Sequence, residues 1–537
     1  MFWADRIAEE LKDSGPHLVD DMKTPSGRIH VGSLRGPILH DIIYKALRQA
    51  GAPARFTYVI DDHDPMDGLP SYLDEATYRP HMGKPFYAIP SPDGLAPSYA
   101  RYYADDFIGV LNDLGVVPEI LWASELYRSG QMDGAIRLIL DNAALVDRIN
   151  HEVSGGPLHA AGWVPFSVIC PNCGKVGTTR ATDWDGQAVA YSCEPHLQKW
   201  AEGCGHHGRI SPFGGTGKLP WKQEWAAKWM ALGVTVEGEG SDHATAGGSR
   251  HVANAVSRQV LRREPPYDVP YEFFLVKFRD EVGEVKTTKM ASSKGTGTSA
   301  LEMSGILPPQ LLRFLLIRPQ PRQAIPFEVA GATIPNLYDE YDRCAKAHFE
   351  GSDPDQARVY ALAQVDDGGL EARVLPRFST VAAWVQIPHV DPFAEARALK
   401  GADLNAADIA EVRSRVHYAR LWVERYAPEE AKMAIRPEIP TEASALTDPQ
   451  RALLRGLAAR LRQGRAEADA LHNDIFGLGQ QLGLKSRGSF EAIYLALLGK
   501  KSGPRAAWLI ATQDPEFVIG RFEQVAGKSG PENGEVA

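Results

Sequence analysis

Two short stretches of this 537-residue chain carry residue types suited to chemistry at phosphorus. The first is Thr24-Pro25-Ser26-Gly27-Arg28-Ile29-His30-Val31-Gly32-Ser33. An apolar run with strand character, Pro16 to Val19, precedes it, and helical spacing at Leu34, Ile38, Ile42 and Leu47 follows it. Pro25 and Gly27 therefore punctuate a strand-to-helix turn. Backbone N–H groups at a helix N-terminus lack intrahelical partners and carry partial positive charge, which suits them to phosphate. Gly27 and Gly32 allow a ligand close to the backbone, and His30 adds a side-chain donor. The second stretch, Lys289-Met290-Ala291-Ser292-Ser293-Lys294-Gly295, places two lysines and two hydroxyls in one loop. A mobile lysine loop can neutralise charge that builds on a leaving pyrophosphate.

Other candidates stand where strands are expected to end. The strand Ala54–Ile60 runs into Asp61-Asp62-His63-Asp64, and the run from Val234 ends in a glycine-rich turn tipped by Asp242 and His243. Ligands of open α/β sheets collect at the carboxyl ends of strands. The alternative is that these groups cap turns, with Asp242 capping a helix that starts near Gly248. Trp221, Trp225 and Trp229 form one stripe at helical spacing, a pattern that serves core packing more often than ligand binding. Cys170-Pro171-Asn172-Cys173 followed by Cys193 and Cys204 offers four thiolates for a closed structural Zn²⁺ site with no open position for catalysis. Ten residues separate Cys193 from Cys204, so His206 or His207 is an alternative ligand, and four reduced, metal-free cysteines are the other reading.

The two phosphate stretches resemble the HIGH and KMSKS motifs of class I aminoacyl-tRNA synthetases. Their wording, TPSGRIHVGSLRG with KMASSKG, is similar to that of class I lysyl-tRNA synthetases. GGTGKLPWKQEWAAKW (214–229), GSDHATAGGSR (240–250) and PYEFFLV (270–276) resemble the same family, and the likeness spans most of 15–330 and thins towards 510. It implies a lysine–tRNA ligase that makes lysyl-adenylate from lysine and ATP, with Mg²⁺, and passes lysine to the 3′-terminal ribose of tRNA(Lys). It implies that His30, Gly32, Lys289 and Lys294 carry the chemistry. Pro25, Ser26, Gly27, Ser33, Asp242, His243, Met290, Ser292 and Ser293 would join them around ATP. Asp21, Thr24, Asp62, Asp64, Trp221, Trp225, Asp242, His243 and Tyr271 would surround lysine. A buried ammonium needs a carboxylate, and Asp20, Asp21, Asp62, Asp64 and Asp242 all stand as candidates. The chain departs from the family at Ala291, where relatives commonly have Ser, and at Met22, where many have a small residue. Some members carry a cysteine and histidines for a metal within the segment corresponding to 66–105. Here Leu95, Arg101 and Tyr102 stand around that place, and no metal is expected. A class I enzyme for glutamate or arginine, a nucleotidyltransferase acting without tRNA, and a degenerate tRNA-binding protein are the rival readings.

These residues need a scaffold of several domains, because 537 residues exceed one core. The expected fold is α/β: a doubly wound parallel-sheet (Rossmann-like) catalytic domain with a small zinc-binding insertion, then an all-α C-terminal domain. The first half of the catalytic domain is expected over 1–150, with an irregular insertion at 66–105 and helical periodicity over 105–150. The cysteine module follows at 151–220, the second half at 221–300 and a connecting helical segment at 301–345. An all-helical anticodon-binding domain is expected over 346–525, and a disordered polar tail over 526–537. Leu453, Leu454, Leu457 and Leu461 share one helix face. Arg451, Arg455, Lys485, Arg487, Lys500, Lys501 and Arg505 are candidate RNA-phosphate contacts, or parts of a solvated face. The net charge of −10 disfavours a wholly basic nucleic-acid binder but leaves local patches open. Five cysteines make no disulfide framework, and Cys344 reads as a buried thiol. No apolar run reaches the ~18 residues that span a membrane, and the first residues read as an amphipathic helix, so a cytoplasmic protein is expected.

Overall fold

The computed structural model describes residues 1–279, 285–288, 298–365, 370–387, 390–428, 431–432, 435–464, 468–503, 506–511 and 513–527. Lys289, Met290, Ser292, Ser293, Lys294 and Arg505, together with the tail from 528, lie outside the described residues. The chain forms two compact units, Met1–Val329 with Arg343–Gly369, and Ala330–Asp342 with Leu370–Ala537.

In the first unit the strands are β1 (His17–Lys23), β2 (Ala54–Ile60), β3 (Glu119–Trp122), β4 (Ser167–Val168), β5 (Thr179–Thr182), β6 (Val189–Cys193), β7 (His207–Ile210), β8 (Gly217–Lys218), β9 (Val236–Glu237), β10 (Tyr267–Asp268), β11 (Phe274–Arg279), β12 (Val285–Thr288) and β13 (Ile325–Glu328). Five of them form a sheet in the order β10-β9-β1-β2-β3, parallel throughout. Val19 in β1 sits opposite Phe56 on one side and Val236 on the other. The strand order therefore reverses between β1 and β9, as in a doubly wound sheet. β1 is buried over its first five residues, which is why apolar and acidic residues follow one another there without alternation. The helix Arg35–Gln49 buries Ile38, Ile42 and Leu47, as their spacing predicts. Val59, Ile136, Ile139, Trp225, Val252 and Val256 share one large core.

Two elements differ from expectation and one agrees with it. β1 runs on past Val19 through Asp20 and Asp21 to Lys23. The short strand read from Val234 is the two-residue β9, and Gly238 beyond it lies against the Val269 carbonyl where no side chain fits. The segment 105–150, read as helical, contains the edge strand β3. In the cysteine module β5, β6 and β7 form an antiparallel sheet, and the β5–β6 turn is closed by Asp185, whose carboxylate accepts the N–H groups of Gln187 and Ala188, both at 2.8 Å. β4 and β8 pair at its neck.

The second unit is helical, with no strand among its described residues. Leu453, Leu454, Leu457 and Leu461 join Ile493, Leu497 and Phe522 in its core. Arg415 is wholly buried, bonding Glu411 at 2.7 Å, the Pro376 carbonyl at 2.9 Å and both oxygens of Asp342. The last helix, Pro515–Gly527, takes in Ala526 and Gly527, which were expected to open the disordered tail.

Candidate active site

A cavity of about 540 Å³ opens where the strand order reverses. The end of β1 contributes Asp21 to Thr24 and the end of β9 contributes Glu237 to Gly240. Ser26, His30, Gly32 and Ser33 line it from the turn after β1, while Pro25 and Gly27 are buried within that turn. Val31–Leu34 is a 3₁₀ turn with His30 at its N-cap, and it feeds directly into the helix Arg35–Gln49. The Arg35 guanidinium is wholly buried and donates to the carbonyls of Glu272 (2.6 Å), Pro321 (3.0 Å) and Gln323 (2.8 Å), tying this helix start to the later chain.

The chain just after the lysine stretch meets the same turn. Before the stretch, β12 pairs with β11, Thr288 opposite Val276. After it, the Val31 N–H donates to the Thr298 carbonyl at 3.0 Å, and the Ala300 N–H donates to the Ile29 carbonyl at 2.9 Å. Ser299, bridged to His30, then caps the helix Ala300–Ser304 through a capping box with Glu302. The chain at 298–300, remote in sequence, is thus hydrogen-bonded to the turn that carries His30.

Acidic groups crowd the cavity floor. Asp61 pairs with Lys228, and Asp64 with Lys218, which also reaches Glu224 at 2.9 Å. Thr24 donates to Asp64 at 2.7 Å and Tyr127 to Glu224 at 2.8 Å. Burial opposes ionisation of Asp64, but the Lys218 ammonium overrides it and holds the carboxyl below its usual range. At Asp61 burial wins over Lys228 and lifts the group to about 6. Asp62, one of the expected lysine contacts, faces elsewhere: its carboxylate accepts the N–H (2.8 Å) and hydroxyl (2.6 Å) of Ser124. It fixes the chain leaving β3 and does not line the cavity. Asp20 is also withdrawn, wholly buried with Thr57 donating at 2.6 Å.

Asp21 does line the cavity. Its Oδ1 accepts the Met22 N–H at 2.8 Å, and burial lifts its carboxyl to about 7. Across from it, Glu237 accepts indole N–H groups from Trp225 (2.8 Å) and Trp229, yet burial still lifts it to about 7. Glu239, against Arg250 at 3.2 Å, is lifted by burial to about 9. Behind them His40 donates from Nδ1 to the Gly36 carbonyl (2.7 Å) and accepts the Gly238 N–H at Nε2 (2.8 Å). Burial lowers its pKa, and these two bonds define a neutral tautomer. A Cβ at Gly36 would stand 2.5 Å from Asp21 Oδ2 and 2.8 Å from the Tyr271 hydroxyl.

The walls are aromatic. Trp221 and Trp225 stack with ring centroids 5.5 Å apart, and His243 meets Trp221 edge-on at 5.1 Å. Both tryptophans, Tyr271, Asp242 and His243 line the cavity, whereas Trp229 is in the core. The helix Ser249–Gln259 has Gly248 at its N-cap and no side-chain cap, so Asp242 does not serve it. Apart from this cavity, Cys170, Cys173, Cys193 and Cys204 bring four sulfurs within 4.8 Å of one another. The Cys170–Cys204 and Cys173–Cys193 separations, 3.6 and 3.7 Å, match the edge of a tetrahedral zinc–thiolate site, about 3.8 Å for Zn–S bonds of ≈ 2.3 Å. His206 instead bonds the Tyr191 hydroxyl at 2.9 Å through Nδ1.

The family model described as tRNA synthetases class I (K) matches residues 1–366. The lysine–tRNA ligase of Methanosarcina barkeri (strain Fusaro) is 35% identical over 98% of this chain and 98% of its own length. This chain belongs to the lysine-type class I tRNA synthetases. A second relative, the lysine–tRNA ligase of Archaeoglobus fulgidus, is 33% identical over 97% of this chain and 99% of its own. Among solved structures, a glutamate tRNA ligase from Elizabethkingia meningosepticum aligns with a TM-score of 0.42 at 12% identity, covering 95% of this chain and 99% of that one.

In this class I synthetase the basic residues of the helical unit divide by setting. Arg451 is buried, donating to the carbonyls of Val525 (2.6 Å) and Ser444 (3.1 Å), and Arg455 donates to Ala526 at 2.9 Å. Lys500 bonds the Lys432 carbonyl, whereas Lys485, Arg487 and Lys501 are exposed. The motif reading passed over Glu224, Lys228 and Glu237, which line the synthetase cavity, and Gly36, His40, Lys218 and Arg250, which stand against its lining residues. One local signal existed: Glu224 and Lys228, four apart, stand between the tryptophans of a helix, which is a charged pair inside an otherwise aromatic stripe.

Proposed function

We propose that the chain is a lysine–tRNA ligase, forming lysyl-adenylate from lysine and ATP and transferring lysine to the 3′-terminal ribose of tRNA(Lys). The observation that carries this reading is an acid-lined cavity bounded by the His30 turn, to which the chain leaving the lysine stretch is hydrogen-bonded. Lysine's carboxylate oxygen attacks the α-phosphorus of ATP while the bond to pyrophosphate breaks, and Mg²⁺ accompanies the nucleotide. Positioning and charge stabilisation are sufficient for such a step. His30 and the Pro25–Ser33 turn receive phosphate oxygens, with Gly32 and Ser33 offering main chain. Lys289 and Lys294 neutralise the pyrophosphate, and Met290, Ser292 and Ser293 shape their loop. Asp242 and His243 close over the adenosine and amino acid.

Asp21 is assigned to the lysine ammonium. Asp61 and Asp64 already face lysines, and Glu237 is held by two indoles, whereas the short donor to Asp21 is a backbone N–H. Thr24, Trp221, Trp225 and Tyr271 wall the same space. Zn²⁺ is the metal that suits the four sulfurs; bound there, it would be saturated and structural. Lys485, Arg487 and Lys501 are the proposed contacts to tRNA phosphates. No helix among the described residues is long and apolar enough to cross a membrane, in keeping with a proposed site of action in the cytoplasm.

The test is aminoacylation with purified protein, ATP, Mg²⁺ and tRNA, offering lysine, glutamate and arginine separately. Charging with lysine alone is expected. Charging with another amino acid overturns the substrate, and tRNA binding without any charging overturns the catalytic reading.

A further inference from the structure

We infer that Tyr72 and Tyr99 are positioning residues for the nucleotide turn, bracing it from the irregular segment 66–105. The inference rests on the proposed reading of the His30 turn as the ATP site. The Tyr99 hydroxyl donates to the Ser26 carbonyl at 3.0 Å. The Tyr72 hydroxyl accepts the Arg28 N–H at 2.7 Å, and the Arg28 guanidinium lies over the same ring, 4.5 Å from its centroid. One bond therefore falls on each side of Gly27, the residue with the greatest backbone freedom in the turn.

The braces are themselves held. Tyr99 is wholly buried, stacks on Phe86 at 5.4 Å and meets Tyr103 at 4.8 Å, which in turn meets Tyr72 at 6.4 Å. Burial raises the pKa of the Tyr99 hydroxyl, so it stays a neutral donor. Tyr99 opens the helix Tyr99–Asp113, whose N-cap Ser98 accepts the Arg101 N–H at 3.2 Å. Midway along, the segment is pinned at Gly83, whose carbonyl accepts N–H groups from Val176 (2.7 Å) and Gly177 (3.1 Å). Ile29 and Val31 are bonded to the 298–300 segment, and Ser26 and Arg28 are bonded to tyrosines. Four main-chain groups of the turn are thereby fixed from two directions. A phosphate site made of main-chain N–H groups needs such support, because its geometry must hold to within about 0.5 Å.

The experiment is tRNA-dependent ATP–pyrophosphate exchange with Tyr72→Phe, Tyr99→Phe and the double variant. These keep the rings and remove only the hydroxyls. Each single variant is expected to lower kcat/KM for ATP about 3–10-fold, the range of one lost hydrogen bond, with KM for lysine unchanged. Tyr78→Phe, which removes a hydroxyl of the same cluster that bonds the Pro90 carbonyl, is expected to match the unmodified protein. Unchanged ATP parameters in the double variant overturn the inference, as does a parallel loss for ATP and lysine that tracks a fall in Tm. His30→Ala separates the two levels. If it leaves ATP parameters untouched, the ATP-site reading fails and this inference with it. If it weakens ATP use while the double variant does not, the brace alone is overturned.

Discussion

At the scale of single residues, His30 and Asp21 make opposite demands on the solvent. In the proposed reaction His30 acts only when phosphate is present, so His30→Ala should cut kcat for adenylate formation by about 10²-fold, the effect of removing one preorganised donor, while the fold stays intact. Pyrophosphate exchange beside a melting curve measures both. Asp21 is costly even in the empty enzyme. With Asp21 and Glu237 both lifted to about 7 by burial, the folded state binds protons more tightly than the unfolded chain does. Stability should therefore fall as pH rises from about 4 towards 7, and added lysine should restore it above pH 7. Asp21→Asn should raise Tm at pH 8 by roughly 2–4 °C, flatten that pH slope and raise KM for lysine at least tenfold. An unchanged slope would remove Asp21 from the account. His30, Asp64 and the tryptophans were legible because each is read within its own segment. Asp62 was misread because strand alternation stops at Ile60; in the turn beyond, neighbouring carboxylates point to different sides, Asp61 and Asp64 inward and Asp62 to Ser124.

At the scale of elements, the helix Arg35–Gln49 meets the end of β1 so closely that Gly36 leaves no room for a methyl group. Gly36→Ala should push Asp21 and Tyr271 apart, cost about 1–3 kcal/mol and weaken lysine use more than ATP use. Separate KM values test this, and equal losses would contradict it. The helix Trp221–Leu232 presents a different hazard. Lys228→Met would leave Asp61 and Glu224 buried without that cation, at a cost of about 3–5 kcal/mol, measurable by denaturant unfolding. Periodicity foretold both helices, and apolar runs foretold the first two strands and the short strand at β9. Neither could foretell β3, whose four residues are too few to show a period and depend on pairing with β2.

At the scale of the whole molecule, the proposed zinc site would add a fastening to one module of the catalytic unit. The three-stranded sheet β5–β6–β7 lends Ala181, Val189 and Tyr191 to the large core, and the four sulfurs gather beside it. Purified protein is expected to carry one zinc per chain by elemental analysis. Chelation should expose four further titratable thiols and lower Tm, and a metal-free protein of undiminished Tm would rule the fastening out. Motif spacing revealed these four cysteines; it did not reveal Lys218, whose partner Asp64 lies 154 residues away, and at Lys228 the local mark was Glu224, not Asp61, which lies 167 residues away. That separation also has a meaning in time. Asp61 and Asp64 emerge from the ribosome long before the two lysines, and at 5–20 residues per second the delay is roughly 8–33 s. Throughout it Asp61 and Asp64 lack the two cations that pair with them in the folded unit. The charge network beneath the cavity can therefore close only once residue 228 has been made.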